Sequence, residues 1–273
     1  MDENITTNVF LSLFIFCVSI YFFRSLYLFL EYVFGSIFHK PFYVHCYPFP
    51  KKIEASQIQI LSEQFGFYQK LSPKRKRYFE HRVAVFLEKY PFYGKENLIV
   101  TEEMKVLVAA TSTMLTFGMQ KYLYTVFNKI VLYPDVYYSQ SNEEYHKGEF
   151  NPKMKTLVFS WKHFLEGYES ASDNLNLGLH EFSHTLHLQA LKNSDISSAI
   201  YRTHYKKILT EINHPPNRER LVNSHYFRDY AYSNQFEFIA VILENFFETP
   251  KTFQQHFPEL YLNVKRMINY REL

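Results

Sequence analysis

The histidine pair His180 and His184, with Glu181 beside the first, restricts the local fold more than any other feature of this chain. Side chains four apart on an α-helix leave one face a turn apart, so two imidazoles at this spacing converge on one point. The intervening carboxylate reaches the same space. The stretch Gly178 to His187 therefore reads as a helix, and its residue types read as metal-assisted hydrolysis: imidazoles to hold an ion and a carboxylate to take a proton from its water. Chance is the competing explanation. Twelve histidines in 273 residues yield the pattern at a frequency of about 3%, so the remainder of the chain decides.

Composition removes several alternatives. Seven glycines and no GxGxxG or GxxxxGK[ST] pattern disfavour nucleotide chemistry. A formal charge of +3 without a basic, aromatic-interleaved face gives no footprint for nucleic acid. Cys17 and Cys46 are too few for a disulfide framework or a Cys-based zinc site, and they read as inert thiols outside an oxidising compartment. Hydrophobic residues make up 47% of the chain, ample for a packed core.

The N-terminus is apolar from Val9 to Phe23, is interrupted by Arg24, and resumes from Leu26 to Phe38 around Glu31. About 20 apolar residues cross a bilayer, so the natural span runs from Ile5 to Phe23 with Arg24 snorkelling to the interface, or, tilted, from Val9 to Leu30. A cleavable signal peptide fits poorly, because Asp2 and Glu3 stand where positive charge belongs. A buried core helix would have to hide both Arg24 and Glu31. Positive charge follows the span at Arg24, Lys40, Lys51 and Lys52 and none precedes it, which puts the rest of the chain in the cytoplasm. The expected organisation is a membrane anchor and juxtamembrane segment over residues 1–40, a linker over 41–52, and one domain over 53–273.

Within that domain, Ser72-Pro73 opens a helix that turns Tyr78, Phe79, Val83, Phe86 and Leu87 inward. Ile99-Val100-Thr101, Lys129 to Tyr133 and Thr156 to Ser160 read as strands of a small sheet. Asp173 or Asn174 is placed to cap the histidine helix. Asn234 to Phe247 is a helix with Phe238, Ile239, Ile242, Leu243, Phe246 and Phe247 on its apolar face.

A hydrolytic zinc site takes three protein ligands. Glu237 is the leading third candidate, a carboxylate on a helix otherwise apolar enough to be buried. Its competing role is structural, since Asn234 and Glu237 have capping-box spacing. Glu211, Glu244 and Glu248 are the other candidates, Glu248 being the most solvent-exposed on this reading. Tyr230, seven residues before Glu237, could donate to an oxyanion or simply pack. His187, two turns beyond His180, could support a ligand from behind or serve as a spare ligand, and is expected at the rim.

Longer blocks then carry a resemblance: Val100 to Met104, Ile130 to Pro134, Gly148-Glu149, Leu157 to Trp161, Asn176 to His184, and Tyr230-Ala231 through Glu237 to Phe246-Phe247-Glu248. In this order the chain resembles the Mlc titration factor A family of zinc-dependent peptidases, whose core is similar to that of anthrax lethal factor. The resemblance implies a mainly helical α+β, zincin-like domain with Zn2+ on His180, His184 and Glu237, Glu181 as general base and Tyr230 as transition-state tyrosine. It implies a peptide or protein substrate and aminopeptidase-like action. His187 stands where the family usually has Asp, and the apolar N-terminus is absent from the soluble members, so their repressor partner does not carry over. The alternative class is a regulatory protein that keeps the scaffold and sequesters a partner, although binding alone needs no general base at Glu181.

Overall fold

The apolar N-terminus forms one uninterrupted helix, α1 (Asp2–Phe38), in the computed structural model, which describes residues 2–139, 143–169 and 173–271. Its segment Thr6–Phe38, of mean hydropathy 2.1, is long and apolar enough to cross a membrane, and none of its apolar window is buried by the protein. Arg24 is exposed. Glu31 is the exception: it is buried, and its Oε1 accepts from Tyr27 Oη at 3.1 Å and Gln120 Nε2 at 2.9 Å. One turn on, a Cβ on Gly35 would lie 2.2 Å from Ile196 Cδ1, so α1 touches the following domain closely there.

Residues 41–52 run against the domain. The fully buried Arg82 donates to Tyr47 Oη at 2.6 Å and to the carbonyls of Val44, Thr116 and Met119 at 3.2, 2.7 and 2.7 Å. Lys51 N donates to His81 Nδ1 at 2.9 Å. A buried guanidinium is tolerated when its donors are used in this way.

The domain then builds α2 (Ala55–Gln64), α3 (Gly66–Gln69), α4 (Pro73–Lys89), β1 (Phe92–Gly94) and α5 (Glu102–Thr116). No strand forms at the expected Ile99-Val100-Thr101: Thr101, its backbone still extended, caps α5, its side chain accepting from Met104 N at 3.3 Å. The other two expected strands are β2 (Lys129–Tyr133) and β6 (Thr156–Ser160). Between them come β3 (Tyr137–Ser139), β4 (Glu144–His146) and β5 (Gly148–Asn151). The sheet order is β1-β2-β6-β5, with β5 the antiparallel edge, while β3 and β4 form a separate hairpin. Every residue of β6 is buried, as a central strand covered on both faces requires.

Helices complete the chain: α6 (Trp161–Glu169), α7 (Leu177–Lys192), α8 (Ile196–Asn213), α9 (Pro215–Asn223), a 3-10 turn at Asp229–Tyr232, α10 (Gln235–Glu248), α11 (Pro250–His256) and α12 (Pro258–Met267). The protein is thus mostly helical with a small mixed sheet. Helix α7 packs against both α5 and α10, and also lies against β5 and β6.

Candidate metal centre

Helix α7 starts at Asn176, whose Oδ1 accepts from Leu179 N at 2.9 Å. The caps expected upstream are otherwise engaged: Asp173 takes Leu175 N, and Asn174, at a φ of 58°, accepts from Thr249 Oγ1. Leu179, Phe182 and Leu186 face the core, with Phe182 set among the rings of Phe86, Tyr124, Phe127 and Phe159. Anchoring that face turns His180 and His184 toward α10.

Helix α10 has the complementary pattern. Asn234 caps it through bonds from Phe236 N and Glu237 N, and its apolar face is buried. Glu237 and Glu244, seven apart, share the face turned to α7. The Glu237 carboxylate goes to the histidines: its Oε2 lies 3.0 Å from His180 Nε2 and 3.5 Å from His184 Nε2, and the two Nε2 atoms are 3.1 Å apart. Cap and cluster are compatible, because Asn234 caps through its own side chain and leaves Glu237 to face inward.

His180 is held from behind. Its Nδ1 lies 2.7 Å from Glu244 Oε1. A carboxylate only accepts, so the proton sits on Nδ1 and the Nε2 lone pair points at Glu237. Glu244 is 1% exposed and also takes bonds from both terminal nitrogens of Arg228, at 2.8 and 2.9 Å, and from Asn176 N at 3.0 Å.

Three acceptor atoms thus crowd together and call for a cation. Burial opposes protonation of His180, but Glu237 and Glu244 outweigh it and raise its pKa. Burial likewise works against a charged Glu237, yet the two imidazoles hold its pKa below the ordinary carboxylate range. A proton meets the demand of one atom and a divalent ion meets that of all three. Ligands held tetrahedrally at about 2.0–2.1 Å from an ion stand about 3.3 Å from one another. The observed 3.0–3.5 Å fits that edge.

A model of the glucose-regulated metallo-peptidase M90 family matches residues 47–269. The chain belongs to this family. An uncharacterized protein of the cyanobacterium Synechocystis is 24% identical over 229 residues, covering 76% of this chain and 81% of its own. Membership establishes a metallopeptidase-type protein at the level of the family, in keeping with the resemblance of the motif blocks, and it implies a metal ion.

In the M90 chain the remaining site groups surround a cleft of about 330 Å3 lined by Gly148, Leu177, His180, Glu181, Arg228, Tyr230 and Glu244, with His163 and Glu166 at its side. Burial raises the Glu181 pKa; His180 and His184 oppose the rise, while Glu237 and Glu149 add to it. Edge strand β5 comes so close that a Cβ on Gly148 would lie 2.9 Å from Glu181 Cγ and 2.8 Å from Leu177 Cδ1. Tyr230 is 53% exposed, so it does not serve as a core packing residue. Its ring lies 6.0 Å from that of His180 and 5.9 Å from the Arg228 guanidinium. Burial of its hydroxyl and the carboxylates of Glu237 and Glu181 push its pKa up to about 12.

Two expectations about these side chains need correction. His187 is 1% exposed and not at the rim: the Tyr201 and Tyr205 side chains of α8 cover it, with Tyr201 Oη 3.1 Å from its Nδ1, and burial lowers its pKa to about 4. Glu248 is not exposed, since both carboxylate oxygens are buried. Glu211, a competing ligand candidate, instead accepts from Asn263 Nδ2 at 3.4 Å. The groups that sequence reasoning missed are Arg228 and the orienting role of Glu244. The signal for Glu244 was its two-turn spacing from Glu237; Arg228 had none, because only the fold brings it to α10.

Two expected results follow from these contacts. Glu244→Gln, which keeps the shape and loses the charge facing His180 and Arg228, should weaken metal affinity about 10- to 100-fold in a chelator competition. Burial lifts the Glu248 pKa from the ordinary 4.5 to about 7. Between those values the folded chain holds a proton that the unfolded chain has lost, so stability falls as pH rises through this window. Glu248→Gln should therefore melt higher than the native chain near pH 8 and level with it near pH 4, as read by thermal unfolding.

Proposed function

We propose that this M90 chain is a membrane-anchored zinc peptidase with aminopeptidase-like action on peptide substrates, its domain zincin-like and facing the cytoplasm. The observation that carries the reading is the meeting of His180, His184 and Glu237 at ligand-edge distances, with His180 oriented from behind by Glu244. These three would hold the ion. Zinc, when bound, supplies Lewis acidity and lowers the pKa of its water towards ~7.

The protein's own groups do the rest. Glu181, with its raised pKa, takes the proton from the water that attacks the scissile carbonyl carbon. As the C–N bond breaks, Glu181 returns that proton to the leaving nitrogen. The Tyr230 hydroxyl, kept protonated by its raised pKa, donates to the oxygen on which charge develops. Edge strand β5, which lies against α7 with its outer side unpaired by any strand among the described residues, can align an extended peptide across the cleft.

Support for the anchor is α1 itself, exposed and apolar, with Arg24 directly after the span from Ile5 to Phe23 and Lys40, Lys51 and Lys52 beyond the end of the helix. Metal analysis of the full chain in detergent tests the centre. About one zinc per chain is expected, and less than about half an equivalent after zinc reconstitution would overturn the reading.

A further inference from the structure

Helix α1 does not run straight on into the domain. His39 takes a left-handed backbone, at a φ of 52°, with its N–H donating to Gly35 O at 2.9 Å, and Pro41 then stops any continuation of the helix. The chain turns back along α1. The Phe42 ring lies 4.5 Å from that of Phe34 and 6.1 Å from that of Tyr27, two turns nearer the N-terminus. The Tyr43 hydroxyl lies beside that of Tyr27. Tyr27, Phe42 and Tyr43 are 40, 42 and 45% exposed, an aromatic patch continuous with the exposed apolar face of α1.

This return bears on how deep the helix sits. Residues 41–47 carry neither helix nor strand, and lipid-exposed backbone of that kind does not occur within hydrocarbon, where its polar groups find no partner. A span reaching Leu30 would draw the level of Tyr27 and Phe42 into the hydrocarbon. A span ending at Phe23 instead leaves Tyr27 about 6 Å beyond it, inside a headgroup layer about 5–8 Å thick. Amphipathic rings are favoured at that level, next to a snorkelling Arg24. The same boundary leaves Glu31 about 12 Å beyond Phe23, clear of hydrocarbon, where it accepts from Gln120 against the domain.

We propose that Tyr27, Phe42 and Tyr43 form an interfacial foot that rests in the lipid headgroup layer, a second contact with the bilayer that sets the hydrocarbon boundary at Arg24. The foot presupposes α1 as the anchor and is independent of catalysis. It holds the reversed segment, and with it the start of the domain, against the membrane surface.

Tryptophan fluorescence of the full chain in phosphatidylcholine vesicles tests the foot, with bromine placed on the acyl chains either near the headgroup or near the chain end. The native chain has one tryptophan, Trp161, stacked on Phe164 in the domain, and sets the baseline. Phe42→Trp and Tyr43→Trp should each be quenched more by the shallow bromine than by the deep one. Phe14→Trp, at the middle of the span, should show the reverse order. Ile99→Trp, exposed and at the opposite end of α5 from Gln120, should match the baseline. Quenching of Phe14→Trp with none at Phe42 and Tyr43 would overturn the foot and keep the anchor, whereas no quenching of Phe14→Trp would overturn both. Stronger quenching of Phe42→Trp by the deep bromine would move the boundary towards Leu30 and overturn the foot, as would equal quenching of Ile99→Trp. Emission of Phe42→Trp that shifts with the protein-to-lipid ratio and ignores bromine would give the patch to a second copy of the chain instead.

Discussion

Glu181→Gln is expected to lower kcat for peptide hydrolysis about a hundred- to ten-thousand-fold, the range that a positioned general base contributes. The amide is nearly the same size as the carboxylate, so the tight approach of Gly148 to Glu181 Cγ is kept. It cannot accept a proton at neutral pH. His180, His184 and Glu237 are unchanged, so metal content should stay at the native level. The two measurements separate causes: lost activity with metal retained assigns a proton-transfer role, whereas lost metal would make Glu181 a structural support of the centre. Substantial residual turnover in the metal-loaded variant would remove Glu181 from the role of base.

Glu237→Ala should reduce metal affinity by more than the 10- to 100-fold typical of an orienting neighbour, because it deletes one of three converging atoms. The comparison variant is Asn234→Ala. Asn234 accepts from the backbone of Phe236 and Glu237, so its loss should cost about 1 kcal/mol of stability and leave metal affinity close to native. Chelator competition and thermal unfolding on both variants give opposite orders of severity if Glu237 is a ligand. The same order in both assays would return Glu237 to a capping role.

Much of this geometry was legible in the chain because it is local. The helix of His180 and His184, the helix of Glu237, and the strands at Lys129 and Thr156 each follow from periodicities of 3.6 or 2. Spacing alone left Glu237 open between cap and ligand, and the structure has the cap made by Asn234 while the carboxylate meets the histidines. What the chain did not disclose depends on partners distant in sequence. His187 is covered by Tyr201 and Tyr205, Glu244 is gripped by Arg228 and the Asn176 backbone, and Arg82 is buried because Tyr47 and three carbonyls surround it. The cap of α7 was misplaced by two or three residues because Asp173 and Asn174 are good capping types used instead for a turn and a contact with Thr249.

Helix α1 spans 37 residues, about 55 Å at 1.5 Å per residue, against about 30 Å for a bilayer core. Because Glu31 is latched to Gln120 and Gly35 is pressed to Ile196, the excess length acts as a mast and not a leash. In a bilayer such a mast would fix the height and heading of the candidate metal centre, which could sweep around the helix axis but not reach freely through the surrounding volume. On the proposed function, its targets would then be set by geometry as well as by chemistry, as polypeptides able to present an extended segment at that one altitude.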